Sequence, residues 1–131
     1  MTRIYVIYAP EDYLFYDRLT AQARNAKVSA EFDRAQLKQP WVAGWKGNCR
    51  NRIYQSNGAI VLISKHINQG GIEWELECAQ TFDLPMLGVY LDAAKSGTVP
   101  KELKTGKVIE WNWVEIARFI QSLKTGSSAF A

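Results

Sequence analysis

Ser56-Asn57-Gly58-Ala59-Ile60-Val61-Leu62-Ile63-Ser64 decides the fold. From Ala59 to Ile63 every residue is apolar, and Ile60, Val61 and Ile63 are β-branched. A strand with one wet face alternates apolar and polar residues, whereas one that is apolar throughout is covered on both faces. Strands of that kind belong to parallel sheets held between two layers of helix. Ser56-Asn57-Gly58 closes the preceding segment with turn chemistry, and Lys65 to Gly71 follows as a polar loop.

Working toward the N-terminus, Trp45 to Gln55 reads as a helix, and Asp33 to Gly44 as a long irregular stretch holding Pro40, Trp41 and Gly44. Val28 to Phe32 is a short strand. Asp12 can cap a helix from Tyr13 to about Ala26, and Arg3 to Tyr8 is a nearly unbroken run of β-formers. Toward the C-terminus, Ile72 to Phe82 reads as a helix. Leu84 to Leu91 is a strand with Pro85 at its start, where a missing donor is tolerated. Val99 to Leu103 is a short turn, Val108 to Trp111 a fifth strand and Trp113 to Leu123 a closing helix. Strand and helix thus alternate about five times. The expected fold is α/β: an open, doubly wound, five-stranded parallel sheet with helices on both faces, in the three-layer flavodoxin manner. One domain spans residues 1–123, and residues 124–131 read as a flexible tail.

Ligands of such sheets bind outside the carboxyl ends of the strands. The segments at that edge are Ala9 to Asp12, Asp33 to Gly44, Lys65 to Gly71, and Asp92 onward. One carboxylate near it is misplaced for a solvated helix. At about 100° per residue, Ile72, Leu76 and Ala79 form an apolar stripe, and Glu73 and Glu77 point away from it. Glu75 falls on the stripe's edge, between Ala79 and Phe82. A carboxylate there is partly desolvated, which raises its pKa and its chemical usefulness. The competing reading is a rim acid paired with lysine or arginine.

Composition narrows the chemistry. With 131 residues, 47% hydrophobic and 22% charged, the chain has the balance of a globular domain able to build its own core. No apolar run approaches membrane-spanning length, and Met1-Thr2-Arg3 leads directly into a strand, so no secretory signal is expected and the location is expected to be cytoplasmic. Cys49 and Cys78 lack the spacing of a zinc site or a disulfide framework. A net charge of +3, with no basic stripe, gives no reason to expect nucleic acid. His66 is the sole histidine and Asp92 lacks a nearby partner acid, so no metal is expected.

The usual occupants of the fold are absent. Ala9-Pro10-Glu11-Asp12 stands where a GxGxxG or Walker loop would follow the first strand. Strand three ends in Ser64-Lys65 where a phosphorelay receiver carries its acceptor aspartate, and no nucleophile elbow is present. What remains is an α/β site whose best reactive group is a carboxylate.

Four segments, in order and spacing, resemble the TIR domain, and its short prokaryotic branch in particular. They are Ile4 to Tyr8 with Ala9-Pro10-Glu11-Asp12, Arg52 to Ser64, Ile72 to Ala79, and Leu84 to Tyr90. The likeness runs from about Arg3 to Leu123 and implies a TIR-like domain. Many TIR domains cleave the nicotinamide–ribose bond of NAD with one glutamate, and the resemblance places Glu75 in that role. In that motif a tryptophan usually stands four residues earlier. Here Gly71 occupies that position and Trp74 directly precedes Glu75. Pairing Trp74 with Glu77 instead would use an acid on the solvent face.

The resemblance further implies NAD as substrate with no separate cofactor, and a substrate site drawn from Tyr8, Ala9, Pro10, Glu11, Asp12, Phe32, Asp33, Trp41, Trp45, Lys65 and Trp74. The 33–44 loop corresponds to a loop through which TIR domains self-associate. Enzymes of this branch include the signal-producing subunit of the Thoeris antiphage system, whose diffusible product reaches a separate effector. Two other readings stand beside this one: a non-catalytic TIR-like interaction module, and a nucleoside 2-deoxyribosyltransferase-like enzyme with a glutamate nucleophile.

Overall fold

The computed structural model describes residues 2–34, 44–68, 70–103 and 106–129, and for residues 45, 70 and 124–129 the backbone alone. Five strands, β1 (Thr2–Ile7), β2 (Ala30–Asp33), β3 (Gly58–Ile63), β4 (Met86–Tyr90) and β5 (Lys107–Glu110), alternate with four helices. The helices are α1 (Tyr13–Asn25), α2 (Trp45–Tyr54), α3 (Gly70–Thr81) and α4 (Trp113–Ala129). Short 3-10 turns lie at Pro10–Asp12 and Lys101–Leu103. The strands form one parallel sheet in the order β2-β1-β3-β4-β5.

The unbroken apolar strands have a direct explanation. Tyr5 and Ile7 of β1, with Ala9 just beyond it, pack with Cys49 and Ile53 of α2 and Ile72, Leu76 and Ala79 of α3. The intervening Ile4, Val6 and Tyr8 face Leu19 of α1 and Ile116, Ile120 and Leu123 of α4. All six residues of β3 are buried, with Ala59, Val61 and Ile63 in the first layer and Ile60 and Leu62 in the second. Both faces of these central strands are therefore core, and alternation has nothing to encode.

Several boundaries differ from expectation for identifiable reasons. Gly70 and Gly71 open α3 instead of ending the loop before it. β2 starts at Ala30, because Val28 donates its N–H to Ala23 O at 2.9 Å in the turn leaving α1. β4 is shorter than expected, yet Ala59 N bonds to Pro85 O (2.9 Å) and Leu91 N to Ile63 O (3.1 Å), so the ladder reaches one residue past each end. The closing helix continues through Ala129, beyond its expected end at Leu123 and into the segment expected to be a tail. Among the described residues, no helix is long and apolar enough to cross a membrane.

Candidate functional site

The order β2-β1-β3-β4-β5 reverses direction between β1 and β3, and a doubly wound sheet opens its ligand crevice at that switch point. The two carboxyl ends meet there through side chains. Ser64, just past β3, donates its hydroxyl to Asp12 Oδ2 at 2.5 Å, and His66 N donates to the same hydroxyl oxygen at 3.0 Å. Asp12 and Ser64 are both buried. This corrects the expected capping role of Asp12, whose side chain makes no cap bond to α1. A buried carboxylate oxygen takes the strongest donor within reach, here a hydroxyl from the neighbouring strand end.

Glu75 lies one to two turns into α3, the helix leaving that switch point. Glu73 and Glu77 are exposed, as helical phase demands, while Glu75 is 0% exposed. Partial desolvation at the stripe's edge was expected, and the structure encloses the side chain completely. Tyr5 of β1 explains the depth. Its phenol is buried against α2, with its oxygen 3.2 Å from Cys49 Sγ. Burial pushes the Tyr5 pKa far above the usual phenol range, and the Glu75 charge, the Cys49 thiol and hydrogen bonds to both push the same way. Cys78, one turn along α3, is also raised by burial, against the lowering influence of Arg50.

Trp74 directly precedes Glu75 on α3 and packs partly buried against the same core layer. Its ring carries Lys46 Nζ at 4.9 Å from the centroid, and its buried indole Nε1 has no hydrogen-bond partner. Burying an indole N–H without an acceptor is costly, so this donor is available to a ligand carbonyl or hydroxyl.

Tyr8 lies in the opposite layer and stacks on Tyr16 (centroids 5.2 Å apart). Its hydroxyl accepts a hydrogen bond from the Arg34 guanidinium at 2.7 Å, and Arg34 also lies 4.5 Å from the Tyr16 ring centroid. Burial raises the Tyr8 pKa while Arg34 opposes the rise. Asp33 receives Arg52 Nη1 at 2.6 Å and Arg34 N at 2.8 Å. Arg34 and Arg52 were not anticipated. Arg34 was legible as the residue following a strand at its carboxyl end, but its partners Tyr8 and Tyr16 come from other elements.

The other expected residues divide. Ala9 is buried; Pro10, Glu11 and Lys65 are exposed, with the Glu11 carboxylate 3.8 Å from His66 Nδ1. Phe32 packs into the α1/α4 layer and, with Asp33, lines an open groove of about 740 Å³ between β2 and α2 that Glu75 does not reach. Trp41 and nearly all of the 33–44 loop lie outside the described residues, and Trp45 is described only as the first residue of α2. Trp111, just past β5, packs in the α1/α4 layer and donates Nε1 to Gln22 Oε1 at 3.1 Å. Among the described residues, no group of three His, Cys, Asp or Glu is arranged to hold a metal ion.

The Tyr5 environment makes a checkable prediction. A phenol whose pKa is higher folded than unfolded keeps its proton in the native state while the unfolded chain loses it. Its stabilising contribution is therefore complete below pH 10 and is lost progressively as pH rises from there toward the native value. Tyr5→Phe should cost about 1 kcal/mol at pH 7 through the lost hydroxyl interactions and should flatten the decline of Tm above pH 10. An unchanged alkaline slope would contradict the burial of that phenol.

The chain matches no protein-family model and no curated protein by sequence. Solved structures do match its fold. The TIR domain of the Toll-related receptor TRR-2 from Hydra magnipapillata superposes with a TM-score of 0.68 at 18% identity, over 90% of this chain and 97% of that one. A conserved protein from Enterococcus faecalis gives 0.67 at 12% identity, covering 93% and 98%. A 2-deoxyribosyltransferase from Bacillus psychrosaccharolyticus gives 0.62 at 14% identity, covering 88% and 90%. At these identities the likeness is one of fold, and the fold is TIR-like.

Proposed function

We propose that this chain is a TIR-like enzyme that cleaves or cyclises NAD with release of nicotinamide, and that Glu75 is its catalytic carboxylate. The observation that carries the reading is the complete burial of Glu75 on the helix leaving the switch point, beside the Tyr5 hydroxyl. Ordinary glycosidases need a second carboxyl to protonate the leaving oxygen. Nicotinamide in NAD is already cationic: when the C1′–N bond breaks, its electron pair stays on the ring nitrogen and the base leaves neutral. The ribose is left as an oxocarbenium-like cation, which one preorganised anion can stabilise. Water then adds at C1′ and loses a proton, giving ADP-ribose, or an adenine nitrogen of the same molecule adds and closes a ring.

On this reading Trp74 offers its Nε1–H to the nicotinamide carboxamide, and Tyr8 and Ala9 to Asp12 border the ribose side, with Phe32, Asp33 and Lys65 toward the remainder of the dinucleotide. Because Glu75 is enclosed, substrate enters only as the side chains above it move aside. The product acts as a diffusible signal in antiphage or innate immune defence of the Thoeris kind, reaching a separate effector, and copies of the chain associate through the 33–44 loop.

The test is direct. Purified protein incubated with NAD, alone and with lysate of phage-infected cells, should release nicotinamide. Release of base from a free nucleoside but not from NAD would replace this reading with a deoxyribosyltransferase-like one, and clean self-association with no release would leave an interaction module. If association completes the site, activity per molecule should rise steeply between about 0.1 and 10 µM, a range typical of modest protein–protein affinities. A specific activity constant over that range would rule out the association step.

A further inference from the structure

A second cavity, of about 480 Å³, lies against the other flank of α3. The loop after β3 contributes Ile67, α3 contributes Glu73 and Leu76, and the connection from β4 to β5 contributes Val99, Lys101 and Glu102. At about 100° per residue, Glu73 lies some 200° around α3 from Glu75. The cavity and the proposed catalytic carboxylate are therefore on opposite flanks of one helix.

Glu102 singles this cavity out. Its side chain is 5% exposed, and its Oε2 is buried with no hydrogen-bond partner. An ionised carboxylate can only accept hydrogen bonds, so this oxygen calls for an incoming donor. The rest of the lining narrows the donor's chemistry. Ile67 and Leu76 are buried apolar residues and Val99 is half-buried, which suits an apolar body. Glu73 is exposed and adds a second acid, against Lys101, whose exposed side chain is free to turn toward solvent. The charged lining is therefore negative on balance, and the volume falls within the range of small-molecule sites.

We propose that this cavity binds a small organic cation bearing N–H donors, an amine, amidine or guanidine on an apolar body, with Glu102 as its hydrogen-bonded anchor and Glu73 at its mouth. The site goes beyond the NAD-cleaving reading and does not depend on it. Benzamidine is the probe, with benzamide as its neutral counterpart and benzoate as its anionic one. Titrated into isotopically labelled full-length protein, benzamidine should shift the amide resonances of Ile67, Leu76, Val99 and Glu102, with benzamide weaker by at least tenfold and benzoate silent. Glu102→Gln should weaken benzamidine by tenfold or more, and the surface change Glu73→Gln by about threefold, which keeps the test valid should Glu102→Gln fold poorly. Glu75→Gln should leave the affinity unchanged. Benzamidine causing no shifts there, benzoate or benzamide binding as well, or indifference to both Glu73→Gln and Glu102→Gln would overturn the proposal. Loss of binding in Glu75→Gln would overturn its separation from the catalytic crevice.

Discussion

Glu75→Gln should reduce nicotinamide release from NAD by at least about 10²–10³-fold, the effect of removing one preorganised charge from a transition state, without lowering Tm. The two halves of this expectation come from the same burial. A carboxylate at 0% exposure is desolvated at a cost that the neutral, isosteric amide largely avoids. The Tyr5 hydroxyl can still donate to the amide oxygen, so the packing of β1 against α3 survives. A residue retained for structure would behave in the opposite way: its loss would lower Tm, and activity would follow stability. Circular dichroism melts run beside the nicotinamide assay separate the two. Glu77→Gln, on the solvent face of the same helix, should change neither quantity measurably.

Gly97→Ala should be the most disruptive small substitution near the site. Gly97 has φ of +98°, and a Cβ built there would stand 2.2 Å from Ser64 O and 2.6 Å from Ser64 C. Both obstacles are backbone, so no rotamer relieves them. The loop is itself held in shape, with Ser96 N on Asp92 Oδ1 at 3.0 Å and Lys95 N on Asp92 O at 3.1 Å. The backbone conformation alone costs a residue with a Cβ about 1–2 kcal/mol, and the clash must then lift the loop from Ser64 or displace Ser64 from Asp12. A fall in Tm of roughly 5–10 °C is expected, with lost activity because Ser64 and Asp12 join the strand ends at the crevice. Gly47→Ala is the internal control. That glycine sits within α2 with nothing within 4 Å of an added Cβ, so alanine should stabilise by about 0.5–1 kcal/mol. If Gly97→Ala melted like the parent protein, the seating of this loop on Ser64 would be wrong.

The layering was legible because it is written in local pattern: apolar strands at fixed spacing with amphipathic segments between them leave few topologies, and the parallel sheet follows. Glu75 was legible for a similar reason, since helical phase alone separates it from Glu73 and Glu77. Its depth was not, because that depth comes from Tyr5 and Cys49, which are distant in sequence and converge only when β1, α2 and α3 pack together. The Ser64–Asp12 bond joins residues 52 apart, and reading Asp12 as a helix cap followed the local signal where a tertiary partner prevailed. The Arg34–Tyr8–Tyr16 stack and the seating of Gly97 are likewise products of the assembled sheet edge. Local glycine logic also misplaced the start of α3, where Gly70 and Gly71 form the first turn of the helix instead of the end of a loop.

Whether the Glu75 carboxylate meets the nicotinamide ribose can be seen in a crystal structure of Glu75→Gln with intact NAD. The nicotinamide ribose hydroxyls or C1′ should lie within hydrogen-bond or van der Waals reach of the side chain at position 75, about 2.6–3.5 Å, with the Trp74 indole on the nicotinamide. NAD bound with its nicotinamide ribose in the groove between β2 and α2, away from position 75, would contradict that contact.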